Sequence, residues 1–215
     1  GVEITSTADI PGGTGLGSSS TFTVGLLNTL NCYNGKFVSK DKLARLACEV
    51  EIEKLGNPIG KQDQYGAALG GLNFIKFNQD GSVSHEPILM EGKTYKKLQK
   101  NLLMFYTGTT RSANTILAEQ TKNITSEDKA KNLLKMCGLA KDMKVALENN
   151  DISSFGKILD EGWQLKKELA SGIANPAIDE AYDIAMKNGA LGGKLLGAGG
   201  GGFLLFYCEE EKQEQ

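Results

Sequence analysis

The stretch Asp9-Ile-Pro-Gly-Gly-Thr-Gly-Leu-Gly-Ser-Ser-Ser20 narrows the possible folds more than any other part of the chain. Closely spaced glycines at positions 13, 15 and 17 let the backbone turn tightly and aim several N–H groups into one concavity. Ser18, Ser19 and Ser20 then open an apolar run from Phe22 to Leu30, which predicts a helix beginning at the loop with serine as its N-cap. A helix N-terminus adds partial positive charge to the exposed amides, so the segment suits an anion, phosphate above all. A Gly/Ser-rich segment also serves as a plain flexible turn, but such turns rarely run straight into a helix.

Two well-known phosphate loops do not fit. The Walker loop ends in Gly-Lys-Ser/Thr, and no lysine occurs between Val2 and Asn34. The dinucleotide fingerprint needs a glycine at its sixth position, where the frame starting at Gly13 has Ser18. This is a phosphate loop of a third kind.

Composition excludes several other classes. The 215 residues form one large domain or two small ones, and a net charge of −2 gives no polybasic surface for nucleic acid or membrane. No apolar run approaches the roughly 20 residues of a membrane span, and no signal-peptide pattern is present. Cys32, Cys48, Cys137 and Cys208 are widely spaced without Cys-x-x-Cys, and read as buried thiols in a reducing cytoplasm. His85 is the only histidine, which argues against a Ser-His-Asp hydrolase and a multi-histidine metal site.

The pattern Pro11-x-x-x-Gly-Leu-Gly-Ser-Ser19 resembles the second signature of the GHMP kinases, the superfamily of galactokinase, homoserine, mevalonate and phosphomevalonate kinases. Lys194-Leu-Leu-Gly-Ala-Gly-Gly-Gly-Gly-Phe203 resembles the third. Gly197 to Gly202 also fits G-x-G-x-x-G, but a strand-like run, Phe203 to Tyr207, follows it where a Rossmann unit has a helix. The resemblance implies an α+β, two-domain GHMP kinase fold, with an N-terminal part like ribosomal S5 domain 2 (residues 1–95) and a ferredoxin-like C-terminal part (residues 96–215). The family's first signature has no counterpart, and the chain starts inside an apparent strand and stops in a charged run. The expectation is therefore the central part of a longer kinase.

Val2 to Ala8 reads as a strand feeding the loop. Lys40 to Leu55 is helical by the spacing of Leu43, Leu46, Ala47 and Val50, with Gly56 as its stop. A hairpin is predicted from Gly70–Phe77 and Ser82–Ile88 around Asn78-Gln-Asp-Gly81, and Leu102–Tyr106 reads as a buried strand. Helices follow at Ala113–Lys122, Asp128–Glu148 and Ile152–Ala170. A fourth has Asn175 as N-cap, Pro176 at its first position and Gly189 beyond its end. The lysine-rich stretch Gly92 to Lys100 is the candidate domain junction.

The resemblance also assigns a site. ATP phosphates would lie across Pro11, Gly12, Gly13, Thr14, Gly15, Leu16, Gly17, Ser18, Ser19 and Ser20. Mg2+, which takes one or two protein oxygens beside phosphate oxygens, would be held by Ser19 and Glu51. By spacing alone Glu51, flanked by Glu49 and Glu53, reads rather as part of a solvated helix face, and it is the resemblance that makes it a metal ligand. Asp63, in Gly56-Asn-Pro-Ile-Gly-Lys-Gln-Asp-Gln64, matches an aspartate beside the hydroxyl that receives the phosphoryl group, as base or orienting group. It equally suits a turn aspartate.

Tyr106-Thr-Gly-Thr-Thr-Arg-Ser-Ala113, Gly60–Tyr65 and Ala190–Leu196 resemble kinases of D-glycero-D-manno-heptose 7-phosphate. That implies a sugar phosphate substrate, phosphorylated at its anomeric hydroxyl for surface-polysaccharide or lipopolysaccharide precursors. Arg111 would hold the substrate's phosphate, with Lys61 and Lys194 as weaker candidates and a surface salt bridge as each one's other reading. Gly199 and Gly200 would also face substrate, in a loop that braces the phosphate loop. The implied protein is a cytoplasmic monomer or homodimer without nucleic-acid or membrane partners. A fucokinase- or galactokinase-like kinase of a neutral sugar, and a non-catalytic sugar- or nucleotide-sensing relative, are the other readings.

Overall fold

The computed structural model describes residues 1–110, 113–123 and 126–214. Its first part is helical: α1 (Ser18–Tyr33), α2 (Lys40–Cys48), a π-helical turn (Glu49–Lys54) and α3 (Gln62–Leu69). Ser39 caps α2, and Gly56, at φ +67°, ends the segment as the sequence predicts. The three helices pack through Val24, Leu43, Ala44, Ala47, Tyr65 and Leu69; Ala44 and Ala47 are fully buried small residues that let the helices approach closely.

The predicted hairpin forms as β1 (Asn73–Phe77) and β2 (Val83–Pro87), antiparallel with Ile75 opposite His85. Its loop turns where Asp80 accepts from the Ser82 N–H at 2.9 Å. The lysine-rich stretch folds as α4 (Gly92–Lys100), and its Leu98 is buried with Leu147, Ile152 and Tyr207.

The remaining helices are α5 (Ala113–Asn123), α6 (Glu127–Glu148), α7 (Ser153–Lys167) and α8 (Pro176–Lys187). Asn175 caps α8, its side chain accepting from the Ile178 N–H at 3.0 Å. A second antiparallel sheet runs in the order β3 (Leu102–Tyr106), β5 (Phe203–Cys208), β4 (Ala190–Leu195). β5 is central, and its Leu204 and Phe206 join Ile116, Trp163, Ile173, Ile178 and Leu195 in the largest core cluster. A Cβ on Gly192 would overlap the Gly156 carbonyl oxygen, so paired glycines let α7 lie directly on β4. Tyr182 ties α8 to both, its hydroxyl donating to Asp160 at 2.7 Å.

Away from the glycine loop, the structure differs from the sequence reading in one strand, in one burial and in two of the cysteines. Residues 1–8 form no strand: they are exposed and join neither sheet, and an extended segment becomes a strand only when an edge accepts its ladder. The Leu102–Tyr106 strand forms but is not buried, because β3 is an edge strand; Met104, Phe105 and Tyr106 are each about half exposed. Cys48 and Cys208 are buried, whereas Cys32 and Cys137 lie on exposed helix faces; all are free thiols. No described helix is long and apolar enough to cross a membrane.

Candidate active site

The glycine loop does what its residues permit, with a twist at its end. The residue before α1 is Gly17, at φ +66°, and no side chain caps the helix. The serines therefore occupy the first turn instead of the N-cap, and the first intrahelical bond runs from the Thr21 N–H to the Gly17 carbonyl at 2.9 Å. A capping serine would occupy one of the orphan amides; glycine leaves those of Ser18, Ser19 and Ser20 available to a ligand.

The hydroxyls of Ser19 and Ser20 point elsewhere. Ser19 donates to Glu51 Oε1, Ser20 Oγ donates to Glu51 Oε2 at 2.7 Å, and Gln64 Nε2 donates to the same oxygen at 2.6 Å. Glu51 is 1% exposed, so it is not part of a solvated face. Glu53 beside it is exposed, and Glu49 makes a surface ion pair with Lys54 at 3.0 Å. The π-helical turn, closed by the Leu55 N–H on the Val50 carbonyl at 3.0 Å, presents the middle glutamate of the three to α1.

The two glycine loops interlock backbone to backbone. A Cβ on Gly15, at φ +82°, would lie 2.6 Å from the Leu196 carbonyl oxygen, and one on Gly197 would lie 2.5 Å from the Gly15 Cα. Thr14 is buried beneath Gly202, its hydroxyl donating to the Pro11 carbonyl at 3.1 Å. The second loop is anchored in turn by Gly200 N–H on the Ile173 carbonyl and Gly202 N–H on the Thr109 carbonyl, both at 2.9 Å.

Above the loops lies a cleft of about 720 Å3, lined by Gly13, Gly15, Gly17, Ser18, Ser19, Ser20, Asp63, Asn114, Lys166, Lys194 and Gly197 among others. Asp63 stands in the first turn of α3, close enough to Gly17 that a Cβ there would touch its carboxyl at 3.4 Å. It is open to water at the cleft mouth, yet the surrounding protein disfavours its charge. Desolvation, and then the neighbouring Glu51, push its pKa above the usual carboxylate range, while Lys166 opposes both. Burial lowers Lys166 to about 7, with repulsion from Lys194 adding to it and Asp63 resisting. Burial lowers Lys194 as well. Lys166 Nζ donates to the Gly197 carbonyl.

Of the residues singled out in the sequence, Gly13, Gly15, Gly17, Ser18, Ser19, Ser20, Asp63 and Lys194 line this cleft, and Glu51 stands behind it bonded to Ser19. Pro11 and Gly12 are exposed on the approach and line no part of it. Leu16 faces a second cavity, largely apolar and also of about 720 Å3, which shares Gly17 and Asp63 with the first. Gly199 and Gly200 are buried; a Cβ on Gly199 would meet Ile173 at 2.6 Å. Lys61 reaches the hairpin, donating to the Gly81 carbonyl at 3.4 Å. Arg111 lies outside the described residues.

Two contributors escaped the sequence reading. Gln64 was visible only as the residue after Asp63, although it is fully buried against Glu51. Lys166 sits in a Lys-Lys pair at the end of α7, a pattern that reads as an ordinary basic helix terminus. Among the described residues no three His, Cys, Asp or Glu side chains gather to hold a metal. Ser19 and Glu51 do bring two hard oxygens together at the foot of the bare helix N-terminus, a donor set that suits Mg2+ completed by phosphate oxygens.

A glycine loop feeding an uncapped helix, backed by a hydroxyl–carboxylate cluster and flanked by a second carboxylate, gives this α+β protein a site whose chemistry suits phosphate groups. Residues 1–71 match the GHMP kinases N terminal domain and residues 143–215 match GHMP kinases C terminal; the chain belongs to the GHMP kinases. It is 33% identical over 209 residues to a D-glycero-alpha-D-manno-heptose 7-phosphate kinase of Campylobacter jejuni, a match covering 96% of this chain and 61% of that protein. It is 34% identical over 217 residues to an L-fucokinase/L-fucose-1-P guanylyltransferase of Bacteroides fragilis, covering 98% of this chain and 22% of the relative. The crystal structure of a D-glycero-D-manno-heptose 1-phosphate kinase from Bacteroides thetaiotaomicron superimposes with a TM-score of 0.68 at 32% identity, over 96% of this chain and 56% of that one. A Streptococcus pneumoniae phosphomevalonate kinase shares the fold alone, with a TM-score of 0.77 at 16% identity, over 94% and 64% of the two chains. The chain thus spans less than two thirds of each of these relatives.

Proposed function

We propose that this chain forms the phosphoryl-transfer centre of an ATP-dependent sugar kinase that phosphorylates the anomeric hydroxyl of a heptose 7-phosphate, giving the 1,7-bisphosphate. The observation that carries the proposal is the placement of the Asp63 carboxylate on the same cleft wall as the uncapped α1 N-terminus. A phosphate donor and a proton acceptor then face one volume. Similarity to two heptose phosphate kinases supports the choice of sugar.

The amides of Ser18, Ser19 and Ser20, with the α1 dipole, bind the terminal phosphates of ATP and orient the γ-phosphorus. Ser19 and Glu51 would hold Mg2+, which supplies charge neutralisation to the phosphate oxygens when bound. Asp63 orients the anomeric hydroxyl and accepts its proton as that oxygen bonds to the γ-phosphorus and the bond to the bridging oxygen breaks, releasing ADP. Its raised pKa suits a base that must take up a proton and return it to water. The Gly197–Gly202 loop braces the phosphate loop from below. Lys194 and Arg111 are the cations proposed for the phosphate that the sugar already carries.

A neutral sugar is the second reading, favoured by 34% identity to the fucokinase-containing relative. Phosphorus NMR with ATP, Mg2+ and heptose 7-phosphate, or with mannose, fucose or galactose, separates the two. A new anomeric phosphate signal with the heptose phosphate alone is expected. Turnover of a neutral sugar in its place would discard the heptose assignment and keep the Asp63 chemistry. Silence with every sugar would refute the kinase reading.

A further inference from the structure

The glycine loop lacks a cation of its own. Walker loops carry a lysine that reaches the terminal phosphates, whereas none occurs here between Val2 and Asn34. The phosphates of ATP bear more negative charge than one Mg2+ cancels, and Glu51 and Asp63 add carboxylates to the same site. The balance calls for a cation from elsewhere in the chain.

Lys166 is placed to supply it. Its Nζ donates to the Gly197 carbonyl, and Gly197 packs on the glycine loop so closely that a Cβ there would lie 2.5 Å from the Gly15 Cα. One bond thus joins the lysine to the second loop, and one backbone contact joins that loop to the first. The same side chain lines the cleft together with Gly13, Gly15, Gly17 and the serines of the uncapped α1 N-terminus. An ammonium carries more donors than this one bond uses, and none of the ion pairs among the described residues includes Lys166.

The helix fixes where Lys166 points. Trp163, three residues earlier and on the same face of α7, is 1% exposed within the largest core cluster. The contact of Gly156 with Gly192 on β4, and the Tyr182 hydroxyl on Asp160 at 2.7 Å, hold α7 against the sheet. Lys166 therefore enters the cleft from a braced helix. Burial lowers it to about 7; Lys194 from β4 adds to this, Asp63 from α3 opposes it, and the two glycine loops bring no ionisable side chain. A cation so placed gains stability when an anion joins it.

We propose that Lys166, anchored on the Gly197 carbonyl, gives the glycine loop the lysine its own sequence lacks and binds the phosphate chain of ATP. This rests on the kinase reading above and adds a residue to its nucleotide site. The cation then comes from the C-terminal half of the chain, so the second glycine loop both braces the first and sets a charge beside it.

The test measures MgATP affinity by calorimetry, with no sugar present, for the protein and its Lys166→Met, Lys166→Arg and Lys167→Met variants. Lys166→Met should weaken MgATP binding about 10- to 100-fold, as befits loss of one charge-assisted contact, and Lys166→Arg should recover part of the loss. Lys167, one residue on, pairs with Asp179 at 3.2 Å, and Lys167→Met should shift the affinity by no more than about twofold. KM of Lys166→Met for the sugar substrate should stay near the wild-type value, which also reports that the site is intact. Unchanged MgATP affinity in Lys166→Met, an equal loss in Lys167→Met, or a loss that falls as heavily on the sugar would overturn the assignment. Lys166-dependent MgATP binding without turnover of any sugar would refute the sugar-kinase reading and uphold the nucleotide contact.

Discussion

Replacing Glu51 in two ways separates its structural work from its chemical work. Its carboxylate accepts from Ser19, from Ser20 at 2.7 Å and from Gln64 at 2.6 Å, at a site 1% exposed. Glu51→Ala leaves the donors of Ser20 and Gln64, which are 3% and 0% exposed, without partners. At about 1–3 kcal/mol for each stranded donor, partly offset by no longer burying a charge, the net cost is about 2–5 kcal/mol. Glu51→Gln is gentler. Its amide oxygen can keep Ser20 and Gln64, and its NH2 can donate to Ser19, whose hydroxyl rotates to accept. Three charge-assisted bonds become neutral, each weaker by about 1 kcal/mol, while the desolvation of a carboxylate disappears; the balance is a loss of about 0–2 kcal/mol.

Activity should follow the opposite logic. Glu51→Gln deletes an anionic oxygen that Mg2+ needs, so activity should fall at least about 100-fold despite a nearly intact fold. Urea denaturation of the two variants measures the first difference. A thermal-shift titration measures the second: Mg2+ and ATP at about 100 times their Kd should stabilise the wild type by about 2.7 kcal/mol, and the Mg2+-dependent part of that gain should be lost in Glu51→Gln. If Glu51→Gln unfolds as readily as Glu51→Ala, the rearranged hydrogen-bond argument is wrong. If its Mg2+-dependent stabilisation persists, Glu51 is not a metal ligand.

Asp63→Asn should lower kcat by about 10²–10⁴-fold, and an unchanged kcat would remove Asp63 from the chemistry. The same substitution should not lower thermal stability at pH 7–8: a carboxyl whose folded pKa lies above its unfolded value destabilises the fold once ionised, and asparagine removes that penalty. The wild-type kcat/KM should fall as pH drops through the raised Asp63 pKa, with an acidic limb above that of an ordinary aspartate; a limb in the usual aspartate range would refute the base assignment. Gly15→Ala should cost about 2–4 kcal/mol, combining a φ of +82° with a Cβ driven against the Leu196 carbonyl, and denaturant titration would expose a cheaper substitution.

What was legible in the chain is what local physics decides. The turn-and-helix character of Gly13 to Ser20, the α8 start at Asn175-Pro176 and the hairpin around Asn78–Gly81 each depend on a few adjacent residues, and each formed. Burial was less legible, because it depends on what covers a surface. β3 has the same apolar composition whether it lies at an edge or at a centre, and Cys32 and Cys137 differ from Cys48 only in their helix faces. The site mixes both kinds of information. Glu49, Glu51 and Glu53 are equivalent by pattern, and only the π-helical turn selects the middle one for Ser19, Ser20 and Gln64. At the end of α7, Lys167 pairs with Asp179 at 3.2 Å and lies over the Trp163 ring, while Lys166, one residue earlier, turns to the cleft. One step along a helix rotates a side chain by about 100°, enough to separate a surface ion pair from a site cation. Since α7 is held in rotation by the Gly156–Gly192 contact with β4, a side chain at Gly156 should disturb where Lys166 points without touching the cleft itself.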